Sequence, residues 1–327
     1  MQNLLPGVPP IHSPFFDEIL AGSGWDAETR RVAQDLHRDG YAVLDFQEPA
    51  LDRLAADIQA RVFSEEGWAK WRSGETPDVR VADAWQSNES VRTVAANAHM
   101  RDLLSRIYGR EAFPFQTLNF AVGSQQPAHH DLVHFASMPE NFMCGVWLAL
   151  EDIQEGAGPL IYYPGSHRWP VYLNEHIGRS PAPSEDPYED HAKFEAVWAK
   201  LREHYQARPV VFHPRKGQAL IWTANLHHGG SPQADKAKTR HSQVTHYMFK
   251  GCAYWTPLVS NPFAGRIGFR TGIVDVSTGE RVPHEVAGQP VTEAFMRATS
   301  PDPAPAPVPS LVDRIRRRAR RLLDRSA

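Results

Sequence analysis

A chain of 327 residues with 42% hydrophobic and 22% charged side chains is long enough to bury a core of its own, and a formal charge of −3 gives no general attraction for nucleic acid. Two cysteines, Cys144 and Cys252, are too few for a disulfide framework or a structural zinc cluster, so a reducing, cytoplasmic setting is expected. The opening MQNLLPGVPPIHSPFFDEIL lacks a basic stretch followed by an apolar one, and nothing approaches the roughly 18 apolar residues of a membrane span, so the expectation is a soluble protein.

Residues 26–39, DAETRRVAQDLHRD, read as a helix capped by Asp26 and stopped by Gly40. YAVLDF (41–46) alternates as a strand, ALDRLAADIQARVF (50–63) is a second amphipathic helix, and VRTVAANAHMRDLLSRIYG (91–109) reads as another. From 115 onward the texture changes. FQTLNFAV, HHDLVHF, FMCGVWLAL, PLIYYP, PVVFHP, QALIWTA and RHSQVTHYMF are short β-branched or aromatic segments set apart by Gly, Pro and Asn. That spacing predicts a mainly β protein with flanking helices, an antiparallel sandwich or barrel. An acidic insertion at 172–209, with a short helix from about 192 to 205, interrupts the strands; such insertions are lids or decoration. SPDPAPAPVPS (300–310) is a Pro-rich linker. The last stretch, 311–327, carries seven arginines against two aspartates, with Leu311, Ile315, Ala319 and Leu322 on one stripe. It reads as a basic amphipathic tail, either solvated or touching a membrane surface or an acidic partner.

The chemistry concentrates in QPAHHDLVHF (126–135). On a strand, residues two apart share a face, so His129 and Asp131 point together and His130 points away. One imidazole and one carboxylate supply two ligands of a non-haem Fe(II) site, which needs a third and keeps positions open for O2 and a cosubstrate. GQALIWTANLHHGGSP (217–232) offers His227 or His228 as that third ligand. Twelve residues after His228 comes Arg240, with Ser242 on the same strand face, a guanidinium and hydroxyl suited to gripping a carboxylate. Fe(II) ligands backed by a carboxylate clamp are what a 2-oxoglutarate-dependent oxygenase requires. A non-catalytic jelly-roll module binding a sugar or metabolite needs no such set, and a cupin-type isomerase would lack the arginine. His167, in a turn after Pro-Gly, reads as structural; His134 and His246 read as packing or surface residues, with a place at the pocket mouth as the alternative.

The stretch from about 115 to 250 resembles the phytanoyl-CoA dioxygenase family of Fe(II)/2-oxoglutarate oxygenases. The likeness is carried by HHD, GVWLALEDIQEGAGPLIYYPGSHR (145–168), HRDGYAVLDF, HHGGSP and TRHSQVTHY, in the family's order. It implies a double-stranded β-helix (a cupin-like jelly roll) in one domain over 1–299, with His129, Asp131 and His228 as iron ligands. His228 is preferred because the family's ligand directly precedes the glycine. It also implies that Arg240, helped by Ser242, holds the distal carboxylate of 2-oxoglutarate. Trp147 would line the cosubstrate pocket, and Gln116 and Asn119 lie on the strand that reaches it. Two departures stand out: Gly230 occupies a place often taken by a hydroxyl, and the family's lysine before the first ligand has no counterpart in NFAVGSQQ. Asp131 fills the iron position that related halogenases leave to halide, so the resemblance implies hydroxylation of a small or lipid-linked metabolite, coupled to conversion of 2-oxoglutarate to succinate and CO2. The insertion and CAYWTPLVSNPFAGRIGF (252–269) are expected to wall the substrate pocket.

Overall fold

The computed structural model describes residues 4–181 and 191–300; the basic tail, the linker after Ser300 and the middle of the insertion lie outside the described residues. Helices α1 (Phe16–Gly22), α2 (Ala27–Asp39), α3 (Leu51–Arg61), α4 (Glu65–Arg72), α5 (Glu89–Ala95) and α6 (Ala98–Tyr108) come first. Asp26 caps α2 by accepting from the Thr29 amide, and Gly40, at φ 82°, closes it. A β-carbon at Gly40 would collide with the His167 ring, so that position needs glycine for its φ and for its missing side chain. The single helix expected over 91–109 is two. Asn97 breaks it, accepting from the Met100 amide as the cap of α6 while its own amide donates to the Gln47 carbonyl.

The first ten strands in chain order are β1 (Tyr41–Asp45), β2 (Arg80–Ala82), β3 (Ala112–Phe120), β4 (Ala136–Met138), β5 (Met143–Ala149), β6 (Leu160–Tyr162), β7 (Val210–Phe212), β8 (Gln218–Thr223), β9 (His228–Gly230) and β10 (Ser242–Phe249). Six form one antiparallel sheet in the order β1-β8-β5-β10-β3-β2, and β7-β6-β9 form a smaller one. The two sheets face each other as a double-stranded β-helix. Its outer face, with Ala42, Leu44, Val146, Leu148 and Ile221, buries the apolar stripes of α2, α3 and α6. Its inner face, with Leu220, Trp222, Trp147, Val244 and Phe120, packs on Leu160, Tyr162 and Phe212 of the smaller sheet.

Register decides which side chains enter the space between the sheets. One inner row runs Tyr41, Trp222, Gly145, His246, Gln116; the next Val43, Leu220, Trp147, Val244, Leu118; the third Ala149, Ser242, Phe120, Arg80. Between His246 and Tyr247 the pairing with β3 shifts by a residue at Phe115. This bulge lets the Phe115 ring stack on His246, although its neighbour Gln116 is directly opposite that histidine.

HHDLVHF is not the strand expected. His129 makes only a two-hydrogen-bond bridge with His228 (2.9 and 2.8 Å), and Asp131–Val133 then turn as 3₁₀ helix, tied down by the Asp131 amide on the Ala224 carbonyl. The helix of the insertion, α7, runs from His191 to His204. Among the described residues no helix is long and apolar enough to cross a membrane.

Candidate metal centre

His129, Asp131 and His228 meet between the sheets, with one ligand atom of each lying within 4.8 Å of the others. Asp131 Oδ1 is 3.8 Å from both His129 Nε2 and His228 Nε2. Two donors bonded to one ion at about 2.1 Å lie no more than about 4.2 Å apart, so each 3.8 Å pair is within reach of a shared ion. His129 Nδ1 donates to the Pro127 carbonyl (2.8 Å) and His228 Nδ1 to the Leu226 carbonyl (3.0 Å). Because a carbonyl oxygen only accepts, both Nε2 atoms keep the lone pair that a cation needs. Burial, and then the neighbouring His228, lower the His129 pKa to about 4, so its ring is neutral at neutral pH.

Asp131 is held from the other side. Trp222 Nε1 donates to Oδ2 at 2.8 Å, which reserves Oδ1 for the two histidines. Burial alone would raise the pKa of this carboxyl, but the imidazoles of His228, His246 and His129 together with the Trp222 donor bring it to about 2. Trp222 fits because Gly145 lies across from it, where any β-carbon would strike the indole. His246 brings its Nε2 to 3.8 Å from Asp131 Oδ2, while its Nδ1 donates to Gln116 Oε1 at 3.0 Å.

The adjacent histidines have a different place. His130 and His227 turn away from the triad toward each other, ring centroids 5.5 Å apart, and contact Trp198 of α7. The structure therefore separates His228, which faces Asp131, from His227, which sequence spacing could not do.

Arg240 is almost wholly buried, at 1% exposure, with its guanidinium over the rings of Phe120 (5.3 Å) and Trp147 (5.7 Å). One nitrogen donates to the Gly158 carbonyl at 3.2 Å. Burial pulls its pKa down to about 10, with Asp78 opposing, so it stays a cation at neutral pH. Its Nε, the Ser242 hydroxyl and the Trp147 indole nitrogen all lack hydrogen-bond partners among the described residues. Three orphaned donors in a dry interior are costly unless something accepts from them.

Sequence reasoning missed Arg80. It stands in the same inner row as Ser242, its guanidinium 5.8 Å from the Phe120 ring that Arg240 also covers, and its Nε is 4.0 Å from Asp78. NFAVGSQQ holds no lysine, but a neighbouring strand brings a second cation to this end of the cavity. Asn119 is a correction. It pairs with Gln243 and its amide donates to that side chain at 3.2 Å, on the sheet face turned toward α5 and away from the triad. Gln116 stays on the inner face, engaged by His246. Trp222 was also missed and His246 was set aside as packing, although β10 parity signals it: Arg240, Ser242, Val244 and His246 alternate on one face.

A double-stranded β-helix with a His-x-Asp pair and a distant histidine converging between its sheets, and a buried arginine farther along, defines a cupin-like oxygenase architecture. The chain belongs to the phytanoyl-CoA dioxygenase family, whose sequence model matches residues 36–242. A protein of Caenorhabditis elegans described as "Probable phytanoyl-CoA dioxygenase" is 34% identical over 58 residues, 18% of this chain and 19% of the relative, so the match spans about a fifth of that protein. The epimerase SnoN in complex with Fe3+, alpha ketoglutarate and nogalamycin RO has a similar structure: TM-score 0.53, 20% identity, 82% of this chain and 97% of that one. The non-heme alpha ketoglutarate dependent carbocyclase SnoK from nogalamycin biosynthesis gives 0.51 and 17%, over 71% of this chain and 87% of that one. At these identities the likeness is one of fold.

Proposed function

We propose that the chain is an Fe(II)- and 2-oxoglutarate-dependent dioxygenase that hydroxylates a small or lipid-linked metabolite in the cytoplasm, as one domain through residue 299 with 172–209 inserted in it. The observation that carries this reading is the convergence of two imidazole lone pairs and one carboxylate oxygen in the same inter-sheet space as a buried arginine. Two nitrogens and one oxygen with sides left open are the donor set of a non-haem ferrous site. The orphaned Arg240 Nε, Ser242 hydroxyl and Trp147 indole fit the far carboxylate of a keto acid. A non-catalytic binding module could use those donors but would leave the His129, Asp131 and His228 donor set unexplained.

His129, Asp131 and His228 would hold the iron, and Arg240 with Ser242 the distal carboxylate of 2-oxoglutarate. Bound there, iron and 2-oxoglutarate supply the oxidising chemistry, in which O2 is consumed, the keto acid becomes succinate and CO2, and the substrate gains a hydroxyl. Trp222 keeps Asp131 to one oxygen, leaving room at the ion. Arg80 adds positive charge near Arg240, so the cavity end favours a dicarboxylate over a monoacid. Leu220, Val244, Phe120 and Tyr162 keep bulk water from the reacting centre.

The test is an anaerobic titration of Fe(II) with 2-oxoglutarate, followed by the weak visible charge-transfer band and then by succinate yield in air. Wild type is expected to show both; Asp131→Ala and His228→Ala neither. Unchanged succinate yield in the two variants refutes the ligand assignment.

A further inference from the structure

Both ligand-bearing segments carry a doubled histidine, and only one of each pair faces the metal position. The others form a socket. His130 (4% exposed) and His227 (2%) present their rings to the Trp198 indole (1%), at centroid distances of 5.0 and 6.4 Å, and the ligand His129 is itself 6.4 Å from that indole. Trp169 closes the far side against His227 at 4.8 Å and stacks on Tyr205, just beyond α7, at 4.7 Å. On α7, Phe194, Trp198 and Leu201 share a stripe that packs on Val133 and Leu258. The same helix reaches the ligand segment through its backbone, since Arg202 donates to the carbonyl of Ala128, next to His129, at 2.9 Å.

The two ligand segments need such support. They are joined by the two-hydrogen-bond bridge at the ligands and by one backbone bond on either side of it, the Gly230 amide to the Gln126 carbonyl and the Asp131 amide to the Ala224 carbonyl, not by a continuous ladder, and Asp131 sits in a turn. A ligand on a short bridge is free to shift unless its neighbours are fixed by packing. Building on the iron reading above, we propose that α7 of the insertion is a positioning element for the metal centre. Trp198, packed against the side of the His130–His227 pair, holds the two ligand-bearing segments in place, and Arg202 ties the helix to the first of them. The second histidine of each pair is thus part of the device that aims the first.

Cobalt(II) is a suitable probe, because its visible ligand-field bands report ligand geometry without turnover. In the full chain under anaerobic conditions, Trp198→Ala is expected to raise the Co(II) dissociation constant by about tenfold or more and to shift those bands, the range seen when groups supporting metal ligands are removed. Trp198→Phe, which keeps a ring in the socket, restores most of the affinity and the wild-type spectrum; a loss of stability alone would leave the spectrum of the bound ion unaltered. Arg202→Met, a change at a partly exposed residue, gives a smaller rise in the same direction. A folded Trp198→Ala protein with wild-type affinity and spectrum overturns the proposal. Should that variant not fold, wild-type behaviour of Arg202→Met overturns it instead. If wild type takes up no Co(II) that His228→Ala abolishes, the iron reading itself falls and this inference with it.

Discussion

Replacing Trp222 by phenylalanine isolates the work of one hydrogen bond. The indole N–H reaches Asp131 Oδ2 at 2.8 Å, donor and acceptor are both buried, and the ring packs 4.6 Å from that of His228. Phenylalanine keeps an aromatic ring there and removes the donor. A hydrogen bond to a buried carboxylate contributes about 1.5–3 kcal/mol, and each 1.4 kcal/mol is about tenfold in a dissociation constant. Fe(II) or Co(II) affinity is therefore expected to fall by about 10- to 100-fold. The cause is loss of orientation, not loss of charge: with a pKa of about 2, in which Trp222 is the smallest contribution, Asp131 stays ionised at neutral pH in the variant. Competition against a chromophoric chelator under nitrogen measures the constant, and urea unfolding of the metal-free protein should show a loss of about 1–3 kcal/mol from the stranded oxygen. A variant that binds metal within twofold of wild type would show that Asp131 does not need this donor.

The carboxylate clamp and the C-terminal end of α2 offer two more tests. Arg240→Met should weaken 2-oxoglutarate binding by about 100-fold, the loss of roughly 3 kcal/mol from a charged fork, and Arg80→Met by no more than about tenfold, because that side chain is partly exposed. Titration of 2-oxoglutarate into the Fe(II) protein ranks them, and a larger effect at Arg80 would reverse the assignment of the main anchor. Gly40→Ala must accept a positive φ and displace the His167 ring, so a loss of about 2–4 kcal/mol is expected in denaturant unfolding, and a loss below about 0.5 kcal/mol would mean the loop relaxes freely.

Much of the β architecture was legible because strands that bury both faces are rich in β-branched and aromatic residues whatever their partners. The helix 26–39 was legible because its cap and its stop are local. What failed was non-local or depended on parity. Spacing alone does not distinguish His227 from His228; the family likeness favours His228 through the glycine after it, and in the fold the two are separated by Asp131 on one side and Trp198 on the other. Gln116 and Asn119 lie three apart, so a strand that turns one inward turns the other outward, and assigning both to one cavity conflicted with the strand's own period. Arg80 sits on a strand of three residues, too short to show alternation, and its place emerges only from its pairing with Phe120. HHDLVHF has the composition of a strand, but Asp131 bonds to the Ala224 carbonyl and turns the chain before a ladder can extend.

Gly145 has no functional group, yet the indole that steers Asp131 lies where its side chain would be. A single methyl on the central strand would push aside that ring on the neighbouring strand and disturb the carboxylate it holds. Affinity for the ion is thus open to adjustment by a position that never touches it, and a survey of ligand residues alone would pass over the variant that silences the centre.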